Sequence, residues 1–148
     1  FTELKEDEPN FTGLIKDDST QTEVTDISFS GHTSLGGIRK ENDDSVNKLE
    51  FSNIKELEIV NPDYTSQRYS DKDVMLAKIT TNDGTIINDL LIPRNVEICA
   101  IEQNTKMKKA WFLRKIKKVT IKKEVQKIKE KEAAEEEEKS EGILEKVK

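Results

Sequence analysis

The chain holds one histidine, His32, and one cysteine, Cys99. Nucleophilic catalysis of the thiol–imidazole kind would have to use these two and a third group to orient them. Nothing near either supports that pairing. Cys99 falls in the apolar run 96–101, where a buried, unreactive thiol is the ordinary state. His32 stands in a Gly/Ser/Thr-rich stretch, residues 30–37, whose default is an exposed loop. A single sulfur also excludes an internal disulfide and a cysteine-cluster zinc site. The paired carboxylates Asp17-Asp18 and Asp43-Asp44 offer oxygen ligands for calcium, but neither has the alternating donors and closing Glu of an EF-hand, so both read as solvated turns. The glycines of residues 30–37 lack the Gly-Lys-Ser/Thr ending of a phosphate-binding loop and open no helix. No catalytic, cofactor or metal residue is therefore assigned, and the expectation is a protein that is not an enzyme.

Charge supplies the one functional hint. The chain carries a net charge of -5, yet Lys106, Lys108, Lys109, Arg114, Lys115, Lys117, Lys118, Lys122 and Lys123 follow one another with no acidic residue from Asn104 to Lys123. Trp111 and Phe112 interrupt this block. One reading is a nucleic-acid or anionic-surface patch, with Lys106, Lys108, Lys109, Arg114, Lys115, Lys117 and Lys118 neutralising phosphate and Trp111 stacking on a base. The other is internal. The stretch 41–63 carries Glu41, Asp43, Asp44, Glu50, Glu56, Glu58 and Asp63, so basic and acidic segments complement each other, or the basic one holds the acidic run 135–138. The internal reading is preferred, because basic composition is a weak footprint in an acidic chain.

The elements that carry these residues follow from apolar spacing. Phe51, Ile54, Leu57 and Ile59 recur in kind as Leu113, Ile116, Val119 and Ile121, with steps of three, three and two. Steps of three fit neither an alternating strand nor one stripe of a long helix, and they predict strand, single tight turn, strand. Val24-Thr25-Asp26-Ile27 likewise matches Ile87-Asn88-Asp89-Leu90. These matches predict an internal duplication, with units at about 11–60 and 74–122 joined by a linker at 61–64. Ile is the commonest apolar residue and β-branched types lead, which favours strands. The expected fold is all-β: two repeated small units, each resembling an SH3-like barrel or sandwich half, intertwined or stacked across residues 11–122. Residues 1–10 read as a disordered acidic lead, and residues 123–148, rich in Lys, Glu and Ala, as a charged helical or disordered tail.

The function expected from this architecture is a non-catalytic protein-interaction or structural module with a protein partner, the nucleic-acid patch being the alternative. No apolar run approaches the roughly 18 residues a membrane-spanning helix needs. The sequence opens on Phe rather than Met, and the expectation is the exported portion of a larger or anchored protein, periplasmic or secreted, with a cytoplasmic location as the alternative. Asn10-Phe11-Thr12 matches an N-glycosylation sequon, a pattern too frequent by chance to carry weight.

Overall fold

The protein was analysed as a computed structural model, which describes residues 2–69 and 73–125. Ten antiparallel strands form one curled, half-barrel sheet, and no α-helix occurs among the described residues. The strands are β1 (Asn10–Lys16), β2 (Gln21–Phe29), β3 (Ser34–Lys40), β4 (Asp43–Glu50), β5 (Ile54–Asn61), β6 (Val74–Thr81), β7 (Ile86–Pro93), β8 (Glu97–Glu102), β9 (Lys108–Phe112) and β10 (Lys118–Val125). Across the sheet they run β4-β3-β7-β6-β5-β10-β1-β2-β8-β9. Strands from the two stretches of sequence thus alternate within one sheet, rather than closing as two separate small barrels.

Alternation of apolar residues puts one face of each strand inside. Phe11 and Ile15 of β1, Ala77 and Ile79 of β6, Leu57 and Ile59 of β5, and Val119 and Ile121 of β10 belong to a single core shared by all parts of the sheet. At one place the core is aromatic: Phe51 meets Phe29 and Phe11 edge-on, with ring centroids 5.0 and 5.7 Å apart.

The steps of three are explained by two short 3-10 turns, Phe51–Asn53 before β5 and Leu113–Lys115 before β10. In both, an extended residue leads in, an extended residue follows, and the latter's N–H donates to the carbonyl of the first turn residue. A turn of three residues advances the chain so that Phe51 and Ile54, or Leu113 and Ile116, point to the same side. All four are buried.

Asp26 and Asp89 also behave alike, with φ of 56° and 58°. The register of β2 against β8 slips between Thr25 and Ser28, and that of β6 against β7 slips opposite the residues between Ile87 and Leu90. Each Asp therefore supplies the left-handed residue of a β-bulge, a conformation that short polar side chains tolerate better than most.

The structure departs from the sequence reading in three places. The loop expected at 30–37 ends at Thr33, because β3 starts at Ser34 and reaches Lys40. The polar stretch after Lys40 is β4, whose side chains are mostly exposed, which hides its strand character from an apolar pattern. The final strand continues past Ile121 to Val125, pairing Asn10 with Val125 and Phe11 with Glu124. The tail beyond it, residues 126–148, lies outside the described residues.

Candidate functional site

Two segments without strand character cross the outer face of the sheet, and the first sets the surroundings of His32, Cys99 and Lys108. Residues 2–9, read from sequence as a disordered lead, lie against the β2–β3 loop and β8. Lys5 N–H donates to Gly31 O at 3.0 Å. Glu8 Oε1 accepts from Thr33 N–H at 3.1 Å and from the Thr33 hydroxyl at 2.6 Å, while Glu8 Oε2 lies 3.3 Å from His32 Nδ1. These donors, Thr33 first, hold the Glu8 carboxyl below its ordinary range. The segment 62–69 is tied in the same manner by Glu41, at the β3–β4 turn. Its carboxylate accepts from the Tyr64 hydroxyl at 2.7 Å, the Ser66 hydroxyl at 3.0 Å, and the Gln67 and Arg68 N–H groups at 3.3 and 3.2 Å. Tyr64 above all lowers the Glu41 pKa, and its own is raised in return. Beneath this segment Tyr69, Val74 and Leu91 form a second small apolar cluster, with the Arg39 guanidinium 5.2 Å from the Tyr69 ring centroid.

Cys99 and His32 do not form a hydrogen-bonded pair among the described residues. The thiol faces away from the core, buried under the lead, where it accepts from Thr2 N–H at 3.3 Å and donates to Glu97 Oε1 at 3.3 Å. Burial pushes its pKa up, which disfavours the nucleophilic thiolate. Of the paired carboxylates, Asp17-Asp18 sit between β1 and β2, where Asp17 Oδ1 accepts from Ser19 and Thr20 N–H at 2.9 and 2.7 Å, whereas Asp43-Asp44 open β4 instead of a turn. Asp43 Oδ1 accepts from Ser45 N–H at 2.9 Å. No group of three His, Cys, Asp or Glu side chains converges on a metal-sized site among the described residues. Asn10 of the sequon is used internally, its Oδ1 accepting from the Thr25 hydroxyl at 3.1 Å and Asp26 N–H at 3.0 Å, so it caps the first bulge.

The basic segment is spread over several elements. Lys106 lies in the β8–β9 turn with φ of 61°, Lys108, Lys109 and Trp111 in β9, Arg114 and Lys115 in the second 3-10 turn, and Lys117 and Lys118 at the start of β10. Neighbouring residues of a strand face opposite ways, so Lys108 and Lys109 do not share a surface. Four of the lysines meet acids: Lys108 with Glu3, Lys109 with Glu102 at 2.9 Å, Lys117 with Asp18 at 3.3 Å and Lys118 with Glu56 at 2.8 Å. Trp111 packs against the core, and the Arg114 guanidinium lies 4.8 Å from the Phe112 ring centroid. Residues 104–118 thus do not form one face, and much of their charge is met within the molecule.

What sequence inspection missed is the pair of open edges. β4 and β9 terminate the sheet. Phe51 N–H donates to Thr33 O, so residues 49 and 51 face β3 and Lys48 and Glu50 turn their backbone groups outward, while the pairing of β4 with β3 is irregular between Asp43 and Asn47. Glu102 N–H donates to Met107 O, and Leu113 N–H to Val96 O. By the same alternation Lys108, Ala110 and Phe112 face outward from β9. Val46 and Phe112 are among the exposed large apolar residues, at 53% and 50%. A shallow groove of about 460 Å³, lined by Glu41, Tyr64, Leu76 and Asp89 among others, lies beside the second bulge. Its wall includes Glu41 and Tyr64, the anchor of the segment 62–69. The chain matches no protein-family model, no curated protein and no solved structure.

Proposed function

We propose that the protein is a non-catalytic interaction or structural module made of two interlocked five-stranded units, and that it offers its open sheet edges to a protein partner. The observation that carries this reading is the strand order. If β6 to β10 repeat β1 to β5, the order β4-β3-β7-β6-β5-β10-β1-β2-β8-β9 reads identically from either end. The β6–β7 hairpin then fills the place between β3 and β5, while β1–β2 fills the place between β8 and β10. Each unit completes the other. The matched 3-10 turns and matched bulge aspartates support the same duplication, as does the passage of residues 2–9 and 62–69 over outer faces just before β1 and β6. Among the described residues, duplication and interlocking account for the core, and β4 and β9 leave edge backbone at the ends of the sheet, which can recognise another strand.

The test is partner capture by the full chain with one edge blocked at a time. Lys48→Pro and Ala110→Pro each remove an outward N–H that none of the described strands uses, so the fold should survive, as circular dichroism will report. Capture of a protein partner should be lost in one of the two. Retention in both, or substrate turnover by the wild type, would contradict the module. The nucleic-acid alternative, through Lys106, Lys108, Lys109, Trp111, Arg114, Lys115, Lys117 and Lys118, is separated by filter binding with RNA and DNA at low salt. The ion pairs above weigh against it, and salt-sensitive binding at micromolar protein would reinstate it.

A further inference from the structure

We infer that the partner of each edge is a second copy of this chain, with β9 of one copy pairing antiparallel to β4 of the next. This rests on the module reading and names its occupant. Strand number comes first. Ten alternating strands leave β4 and β9 running in opposite directions, so a β4 laid beside β9 continues the antiparallel order without rotation of one copy about a twofold axis. The outward rows then match at Lys48 and Glu50, and Val46 follows where the pairing of β4 turns irregular. Placing Ala110 opposite Lys48 sets Lys108 opposite Glu50 and Phe112 opposite Val46. The first of these flanking pairs joins opposite charges. The second joins an aromatic ring to a β-branched side chain, each about half exposed in the single chain.

Like-with-like pairing is poorer on both edges. β4 against β4 in the matching register puts Lys48 on Lys48 and Glu50 on Val46. β9 against β9 puts Lys108 on Phe112 and loses the ion pair. The existing exposed pairs, Lys48 with Glu50 at 3.4 Å and Lys108 with Glu3, are surface contacts whose exchange for a new partner changes little. Pairing of unlike edges is heterologous, so each added copy presents a fresh β9 and a fresh β4, and assembly proceeds to an open row or a closed ring.

Sedimentation velocity of the full chain over a concentration series tests this. The wild type should grow beyond a monomer as concentration rises, and Ala110→Pro should stay monomeric with an unchanged circular dichroism spectrum. Lys108→Glu and Glu50→Lys should each weaken association on the order of 3–10-fold, and the double variant carrying both should recover it, because the pair is then restored with its signs exchanged. A wild type that is monomeric at every concentration overturns the inference, as does assembly that survives Ala110→Pro or ignores both charge reversals. A monomeric wild type would leave the module standing if edge-blocking still abolished capture of a different protein.

Discussion

The half of the sheet from β4 to β5 and the half from β10 to β9 each hold five strands, a 3-10 turn and a bulge aspartate, and they differ in what lies on them. Inside, Phe51 and Leu113, Ile54 and Ile116, and Leu57 and Val119 are all buried, and at the bulges Asp26 and Asp89 adopt the same positive φ. Outside, one half is covered by a segment carrying Tyr64 and Tyr69 over a small apolar cluster, and the other by a polar lead that seals Cys99. The edge of the first half ends in Glu50, and that of the second carries Lys108 and Phe112. Interior packing constrains residues tightly because voids and clashes cost stability, whereas surface positions diverge at little cost. Two proposed copies held to one backbone were thus left free to acquire unlike edges, which is the condition for recognition between them.

The comparison breaks most visibly at the turn residues. Phe51→Ala removes the ring that meets both Phe29 and Phe11 and should cost about 3–5 kcal/mol, with Leu113→Ala costing about 2–5 kcal/mol, measured by urea unfolding. If the halves are equivalent, both lower the single cooperative transition. Loss of one half while the other stays folded would show that they do not share a core.

Gly13 tests where the halves part. It pairs with Ile121 as Ala77 pairs with Ile59, so the one position is Gly and its counterpart Ala. A Cβ on Gly13 would stand 2.0 Å from the Thr120 carbonyl oxygen, a backbone atom that cannot swing aside. Gly13→Ala should force β1 away from β10 and destabilise by about 1–3 kcal/mol, again read from urea unfolding. Ala77→Gly should cost less, since it creates only a small void.

Much of this skeleton is legible in the residues. The step-of-three phrase predicts a tight turn where each 3-10 turn stands, whereas the match of Val24-Thr25-Asp26-Ile27 with Ile87-Asn88-Asp89-Leu90 carries no sign that each holds a bulge. The ribbon between them is less so. β4 has few apolar residues because an edge strand buries little, and Gly36 and Gly37 within β3 look like a loop although the strand runs through them. The anchors Glu8 and Glu41 leave no local signal at all, since their partners lie some 25 residues away and are mostly backbone N–H and hydroxyl groups that any sequence supplies. The order in which strands interleave is equally silent, because alternation states which face is buried and not which neighbour is bonded.

The two anchors sharpen the comparison through pH. Both carboxyls titrate below their ordinary range in the folded chain. A lowered folded pKa means a contribution present above the unfolded value and lost as pH falls through the folded one. Both covering segments should therefore loosen on acidification below the usual carboxylate range. In NMR titrations the Gln67 and Arg68 amides should report Glu41, and the Thr33 amide Glu8. Glu41→Gln should abolish the first titration and leave the second. At neutral pH, Glu8→Ala should speed iodoacetamide labelling of Cys99, slow in the wild type, and Glu41→Ala should not.

The smallest effect concerns the seam where the halves meet. Lys118 of β10 reaches Glu56 of β5 at 2.8 Å, and Lys78 of β6 reaches Glu58 of β5 at 3.3 Å, so charges of opposite sign cross three adjacent strands. Lys118 lies opposite Glu58 in register, and its ion pair runs diagonally to Glu56. Both groups are partly exposed, which limits the coupling to about 0.2–1 kcal/mol in a double-mutant cycle of Lys118→Ala and Glu56→Ala. Glu56 holds the Lys118 pKa above its ordinary value, so this contribution is complete at neutral pH and disappears as pH rises through the folded pKa. If charge helps fix the register of the two halves, Glu56→Lys alone should destabilise at neutral pH by more than Glu56→Ala, and adding Lys118→Glu should recover the difference. A coupling of zero would give the register wholly to Leu57 and Val119, which face each other in the core. The opposed charges of the two segments would then matter only at the open edges.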